Sequence, residues 1–126
     1  MRLLLVEPHC LLARALKMGM DEEGIAVEVV GDQQTADERL RECTYDVILL
    51  DSLGGDGLHT FQRWRRAGLR TPVLMLTTSE NELDRRVNSI GDSFDISVKP
   101  FELEELLARI RRLARNGSHQ DGNGSR

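Results

Sequence analysis

The stretch DVILLD, residues 46–51, decides how this sequence folds. Its four apolar residues follow one another without a polar interruption, which is typical of a strand covered on both faces of a parallel sheet. Residues 3–6 (LLLV) and 73–76 (VLML) have the same texture. We therefore predict that these three runs form the central strands of one sheet.

Two further runs, residues 25–30 and 94–98, are interrupted by charged or polar residues and are predicted to be edge strands. Segments with helical spacing separate the five runs, and one of these segments opens at Ser79 with Glu82 as a capping box. Strands that alternate with helices form a parallel sheet. The sequence thus predicts an α/β fold, a flavodoxin-like doubly wound five-stranded parallel sheet of order 2-1-3-4-5 with helices on both faces.

The length of 126 residues suits one domain. We predict that residues 1–115 form this domain, and that residues 116–126, rich in Gly, Ser and Asn, are a flexible tail or a linker to a missing output domain. The formal net charge of −4 makes the domain a poor binder of nucleic acid, so contact with DNA needs a separate domain.

The sequence gives no sign of a secreted or membrane-bound protein. Cys10 and Cys43 show neither metal-ligand nor disulfide spacing, which favours a reducing compartment. No apolar stretch is long enough to span a membrane. We expect a cytoplasmic protein that makes no contact with a membrane.

Polar residues follow four of the predicted strands, at the point where each strand ends. They are Glu7, Asp51, Thr77 and Lys99. Ligands of doubly wound sheets bind beyond the carboxyl ends of the strands, so these side chains are expected to share one edge. Carboxylates, a hydroxyl group and a lysine suit phosphoryl chemistry, because a carboxylate can attack phosphorus and a cation can bind the phosphoryl oxygens.

Five stretches of the sequence match one family in order and in position. They are LLLVE at 3–7, DVILLD at 46–51, DG at 56–57, TPVLMLT at 71–77 and VKPF at 98–101. Together they resemble the receiver domains of two-component response regulators, in the CheY-like superfamily, over residues 2–115. The run from Lys99 to Arg112 is most similar to the OmpR/PhoB subfamily of transcription regulators.

The resemblance implies a role for each residue of the edge. Asp51 matches the aspartate that a sensor histidine kinase phosphorylates, Thr77 the hydroxyl residue of the switch, and Lys99 the lysine that binds the phosphoryl group. Glu7 and Asp51 match acidic residues of an Mg²⁺ site. Pro100 matches a proline that usually follows a cis peptide bond.

The sequence departs from the family pattern at the site. Pro8 stands where the second acidic residue of the metal site is usual, and residues 52–55 form a shorter loop before Asp56. Ile96 takes the position of an aromatic switch residue, with Phe94 as a substitute only if the strand register slips. Mg²⁺ binding is therefore expected to be weak or absent, because Mg²⁺ relies on carboxylates. We expect impaired phosphorylation of Asp51 at this atypical site.

Two interpretations of the function stay open, and neither is an enzyme. In the first, phosphorylation of Asp51 favours a homodimer and controls a DNA-binding output domain. In the second, the chain is a pseudo-receiver that acts as a dimerisation or protein-interaction module without phosphate. Asp95, Glu105 and Arg109 match the dimer face of the subfamily, or form an ordinary charged surface. A small enzyme or nucleotide binder is a third class, but the chain has no Walker A motif and no nucleophile elbow.

Overall fold

The structure is a computed structural model that describes residues 1–52, 56–78 and 93–124. Strands and helices alternate along most of the chain. In order they are β1 (Arg2–Val6), α1 (Cys10–Glu22), β2 (Ala26–Val30), α2 (Gln33–Glu42), β3 (Val47–Asp51), α3 (Asp56–Arg66), β4 (Val73–Thr77), β5 (Phe94–Val98) and α4 (Leu103–Gly124).

The five strands form one parallel sheet of order β2-β1-β3-β4-β5. This order confirms the predicted doubly wound arrangement, with β2 and β5 at the edges. The apolar residues of β1, β3 and β4 are fully buried, as expected for strands covered on both sides. Their continuous apolar runs are therefore the signal that placed them at the centre.

Helices cover both faces of the sheet. On one face, α1 and α4 pack against Leu3, Leu5 and Leu49, with Leu16 and Ile110 among the helical residues. On the other face, α2 and α3 pack against the alternate residues of the same strands. That second cluster includes Leu4, Ile48, Leu50, Ala36, Phe61 and Trp64. Successive residues of each central strand thus support opposite layers, which fixes the register of the sheet.

Two glycines lie just beyond the helices they follow. Gly24 and Gly68 have φ angles of 77° and 96°, which residues other than glycine rarely adopt. After Gly24 the chain reverses and enters β2, and after Gly68 it reverses and leads to β4. These turns return the chain to the amino edge of the sheet, so β2 and β4 run parallel to their neighbours β1 and β3.

The edge strand β5 is more covered than its sequence suggested. Asp95 and Ser97 alternate with apolar residues, which is typical of a strand with one solvent-exposed face. Ser97 is nevertheless buried, and its hydroxyl group has no hydrogen-bond partner among the described residues. Helix α4 covers this face of β5, and Leu106 on that helix is fully buried.

Two sequence predictions concern the segment between β4 and β5 and the carboxyl-terminal end of the chain. The helix predicted to open at Ser79 lies outside the described residues. The last helix reaches Gly124, past the boundary predicted after residue 115. The division into a domain of residues 1–115 and a tail or linker of residues 116–126 stays a prediction.

Candidate functional site

The carboxyl edge of the sheet carries the residues that the sequence predicted for a site. β1 ends one residue before Glu7, β3 ends at Asp51, β4 ends at Thr77, and β5 ends one residue before Lys99. Because the strands are parallel, these ends lie along the same edge. Glu7, Asp51 and Thr77 are all buried. The fold therefore brings two acidic groups, a hydroxyl residue and a lysine to one region.

The shortest contact at this edge joins Lys99 to Asp51. The ammonium group of Lys99 donates a hydrogen bond to Oδ1 of Asp51 over 2.6 Å. The Asp51 side chain is 10% exposed and that of Lys99 is 25% exposed. A hydrogen bond between two charged groups is about twice as strong as one between neutral groups. Asp51 and Lys99, which are 48 residues apart in sequence, thus meet in a largely buried ion pair.

Glu7 is the second carboxyl group beside this ion pair. Its Oε1 lies 3.8 Å from the Lys99 ammonium and makes no hydrogen bond with the described part of the chain, while its Oε2 accepts the backbone N–H of His9 over 3.1 Å. Burial raises the pKa of Glu7 above its ordinary value, and the charge of Asp51 raises it further, against the lowering effects of the His9 N–H and of Lys99. A single ammonium group therefore lies within ion-pair distance of two buried carboxyl groups.

The segment after β1 joins the site to helix α1. Pro8 and His9 are exposed, and Nδ1 of the His9 ring accepts the backbone N–H of Leu12 over 3.3 Å. His9 therefore acts as the N-cap of α1, a role that the sequence did not reveal because histidine is not among the preferred capping residues. The position after Glu7 holds the ring of Pro8, which supplies no oxygen ligand.

Backbone hydrogen bonds fix the spacing of the site residues. The N–H of Lys99 donates to the carbonyl of Thr77 over 2.7 Å, and the N–H of Ser52 donates to that of Leu76 over 2.8 Å. The ends of β3, β4 and β5 are therefore hydrogen-bonded to one another at the residues that carry the Asp51–Lys99 pair or adjoin it in sequence. The Lys99–Pro100 peptide bond is cis, as the resemblance implied.

Gly57 is a site residue that sequence reasoning quoted only as part of a motif. A Cβ atom on Gly57 would lie 2.8 Å from the carbonyl oxygen of Asp51 and 2.8 Å from Cα of Ser52. Its N–H also donates to the carbonyl of Ser52 over 2.7 Å. Helix α3 therefore begins in close contact with the backbone of the residue proposed to react, and only glycine fits there.

The register of β5 rules out the substitute that the sequence left open for the aromatic switch residue. Phe94 pairs with Val73 and Ile96 with Met75, without a slip along the strand. The centroids of the Phe94 and Phe61 rings are 4.5 Å apart. Phe94 lies at the first residue of β5, and Lys99 follows the last. Ile96 is partly buried against the same layer. The position three residues before the lysine is therefore aliphatic.

The three residues predicted for a dimer face lie together on β5 and α4. Arg109 donates two hydrogen bonds of 3.0 Å to the carboxylate of Asp95 and two, of 3.3 and 3.4 Å, to Oε1 of Glu105. Arg112, which the sequence analysis did not name, also donates to Asp95, over 2.6 Å. Its spacing of three residues from Arg109 was the available signal, since such residues share a helix face. Within the chain, these charges already compensate one another.

The donor set fits Mg²⁺ poorly. No group of three or more His, Cys, Asp or Glu side chains that could hold a metal ion occurs in the described parts of the chain. Glu7 and Asp51 provide the carboxyl groups of the described site, and both lie within ion-pair distance of Lys99. The loop of residues 53–55 lies outside the described residues, and its sequence, Leu-Gly-Gly, contributes no side-chain oxygen. Mg²⁺ prefers six oxygen ligands and keeps its waters tightly.

Comparison with known proteins identifies a family over most of the chain. The family described as "Response regulator receiver domain" matches residues 3–111. The transcriptional regulatory protein TrcR of Mycobacterium tuberculosis is 38% identical over 120 residues, which are 94% of this chain and 47% of that protein. The transcriptional regulatory protein TctD of Salmonella typhimurium is 41% identical over 122 residues, which are 95% of this chain and 54% of that protein.

Solved structures show the same fold. The receiver domain of the Francisella response regulator 1452 superposes with a TM-score of 0.81 at 27% identity, and the match covers 91% of this chain and 97% of that one. NtrX from Brucella abortus gives a TM-score of 0.85 at 18% identity, over 98% of this chain and 28% of that one. The chain spans about half the length of the curated relatives it matches. No described helix has both the length and the apolar character to cross a membrane.

Proposed function

The chain belongs to the family of response regulator receiver domains, and we propose that it serves a two-component system in which phosphorylation of Asp51 is impaired. A sensor histidine kinase is the proposed donor, and a separate DNA-binding domain is the proposed output. The curated relatives support this output, because their names describe transcriptional regulators and the chain spans about half their length. Residues 116–126 are the proposed linker to that domain.

The observation that carries the proposal is the 2.6 Å contact between Lys99 and Asp51 at the carboxyl edge. In the proposed reaction, a carboxylate oxygen of Asp51 attacks phosphorus and forms a new O–P bond. The bond from phosphorus to the donor breaks, and its electron pair leaves with the donor. Lys99 would then bind an oxygen of the transferred group, and Thr77 would be the hydroxyl residue that responds to it.

The same contact supports slow phosphorylation. The ammonium group of Lys99 stabilises the negative charge of the Asp51 carboxylate, and this lowers the reactivity of the carboxylate towards phosphorus. The approaching phosphoryl group is negatively charged, and phosphoryl transfer depends on cations that neutralise it. Pro8 removes one carboxylate that could help to hold a divalent cation. Lys99 is then the one positive group of the described site.

Intact-mass analysis after incubation with a small phosphodonor and Mg²⁺ tests the proposal. We expect a slow or partial gain of one phosphoryl group by the wild-type chain and none by Asp51→Asn. Rapid, complete phosphorylation that Asp51→Asn abolishes would refute the impairment. A phosphoryl group that persists in Asp51→Asn would refute the assignment of Asp51 as the acceptor.

A second candidate function is a pseudo-receiver that works as a dimerisation or interaction module without phosphate. The observation that favours it is the 2.6 Å ion pair in which the Lys99 ammonium already neutralises the Asp51 carboxylate. The proposed interaction face consists of Asp95, Glu105 and Arg109 on β5 and α4. Light scattering over a concentration series separates the candidates: a dimer that forms equally with and without phosphodonor favours the pseudo-receiver, and one that requires phosphodonor favours the gated receiver.

A further inference from the structure

Lys99 lies between the two carboxyl groups that a metal ion would need. Its ammonium nitrogen is 2.6 Å from Oδ1 of Asp51 and 3.8 Å from Oε1 of Glu7. The Glu7 side chain is only 1% exposed, so water contributes little to its solvation. A cation that belongs to the chain thus already provides the electrostatic compensation for both acids.

Among the residues that the structure describes, too few other donors lie beside Lys99 to make a second cation site. Oε2 of Glu7 accepts the backbone N–H of His9, and Oε1 of Glu7 is buried and makes no hydrogen bond with the described residues. A divalent ion at that oxygen would lie close to the Lys99 ammonium and be repelled by it. The neighbouring side chain is Pro8, which cannot add a ligand.

We propose that Lys99 is the resident cation of this pocket and that the pocket does not take up a divalent ion at low millimolar concentration. This inference rests on the proposed function, because it gives the physical cause of impaired phosphorylation. Two features of the sequence account for the exclusion of a divalent ion. Pro8 lowers the number of carboxylates in the pocket, and Lys99 neutralises the carboxylates that remain. Exchanging either residue should therefore open the pocket to a divalent ion.

Mn²⁺ is a suitable probe, because the electron paramagnetic resonance signal of the free ion falls when the ion binds. We expect wild type and Asp51→Asn to bind Mn²⁺ equally weakly, and Pro8→Asp to bind one additional ion at least tenfold more tightly. Pro8→Asn is the matched control for Pro8→Asp, since it has nearly the same shape without the charge, and it should behave as wild type. Lys99→Met, if circular dichroism shows it folded, should also gain at least tenfold.

One result would overturn the inference directly: a wild-type chain that binds one Mn²⁺ and loses it in Asp51→Asn. A folded Lys99→Met variant with wild-type affinity would remove the role of Lys99, and a Pro8→Asp variant without added binding would remove the role of Pro8. The Mn²⁺ experiment contains no phosphodonor, so a failure of this inference can be told apart from a failure of the proposed function. If wild type binds Mn²⁺ but is phosphorylated slowly in the phosphodonor experiment, only the inference is contradicted. If wild type does not bind Mn²⁺ but is phosphorylated rapidly, only the proposed function is contradicted.

Discussion

Replacing Lys99 with Met should destabilise the protein by about 2–3 kcal/mol, far more than the loss of an ordinary surface charge. At the 2.6 Å between Nζ and Oδ1 of Asp51, the attraction of two unit charges is about 6 kcal/mol for an effective dielectric constant of about 20. Desolvation of both groups offsets much of this, and Lys99 keeps a quarter of its side chain in water, which weakens the pair further. The larger part of the loss comes from Asp51 and Glu7, which remain buried as two acids without a cation.

Urea denaturation at neutral pH measures the effect, and the chain offers a matched control. Lys17 makes a 3.2 Å ion pair with Asp21 on α1, but the two side chains are 44% and 49% exposed. Lys17→Met should therefore cost less than about 0.5 kcal/mol. A double-mutant cycle of Lys99→Met with Asp51→Asn isolates the pair itself, and we expect a coupling above about 1 kcal/mol. If Lys99→Met costs no more than Lys17→Met, or if the coupling is absent, the reasoning about this pocket is wrong.

Three further predictions concern buried groups near the site and on β5. Because burial raises the pKa of Glu7 above its ordinary 4.5, the folded state holds this proton more tightly than the unfolded state. The free energy of unfolding of wild type should therefore fall, relative to that of Glu7→Gln, as the pH rises above that ordinary value. Urea denaturation of both proteins over the acidic to neutral range measures this difference. If the difference between the two free energies does not change with pH, the prediction is wrong. Gly57→Ala should cost about 1–3 kcal/mol in thermal denaturation, since its Cβ would meet backbone 2.8 Å away, whereas Gly31→Ala, which has open space, is the control; equal effects would contradict the close contact. Ser97→Ala should leave the free energy of unfolding unchanged or raise it by up to about 1 kcal/mol, because none of the described residues is a partner for the hydroxyl group, and a clear loss would show that it has one.

The sheet was predictable because each central strand carries an uninterrupted apolar run. Burial on both faces requires such a run, so residues 47–50 and their two counterparts identified the centre, and the interrupted runs identified the edges. The residues of the site followed from the same reasoning, since a polar residue directly after a parallel strand must lie at the carboxyl edge. Asp51 and Lys99 could be placed there without knowledge of the distance between them.

Other features could not be read from the sequence, because they depend on packing between distant segments. Ser97 looked solvent-exposed from its alternation, but it is buried where α4 packs on β5. The contact of Gly57 with the Asp51 backbone depends on how α3 approaches the end of β3. Arg112 reaches Asp95 because β5 and α4 are packed together, and helical spacing alone does not say which strand a helix faces. Such tertiary contacts have no local sequence pattern.

The most direct test of the central claim compares the phosphorylation of wild type, Pro8→Asp and Pro8→Asn by intact mass over time, with the same small phosphodonor and Mg²⁺. Pro8 is exposed, so the substitutions should leave the fold intact. We predict that Pro8→Asp gains one phosphoryl group on Asp51 much faster than wild type, and that Pro8→Asn remains as slow as wild type. Wild-type phosphorylation as fast as that of Pro8→Asp would contradict the account, because the missing carboxylate would then not limit the reaction.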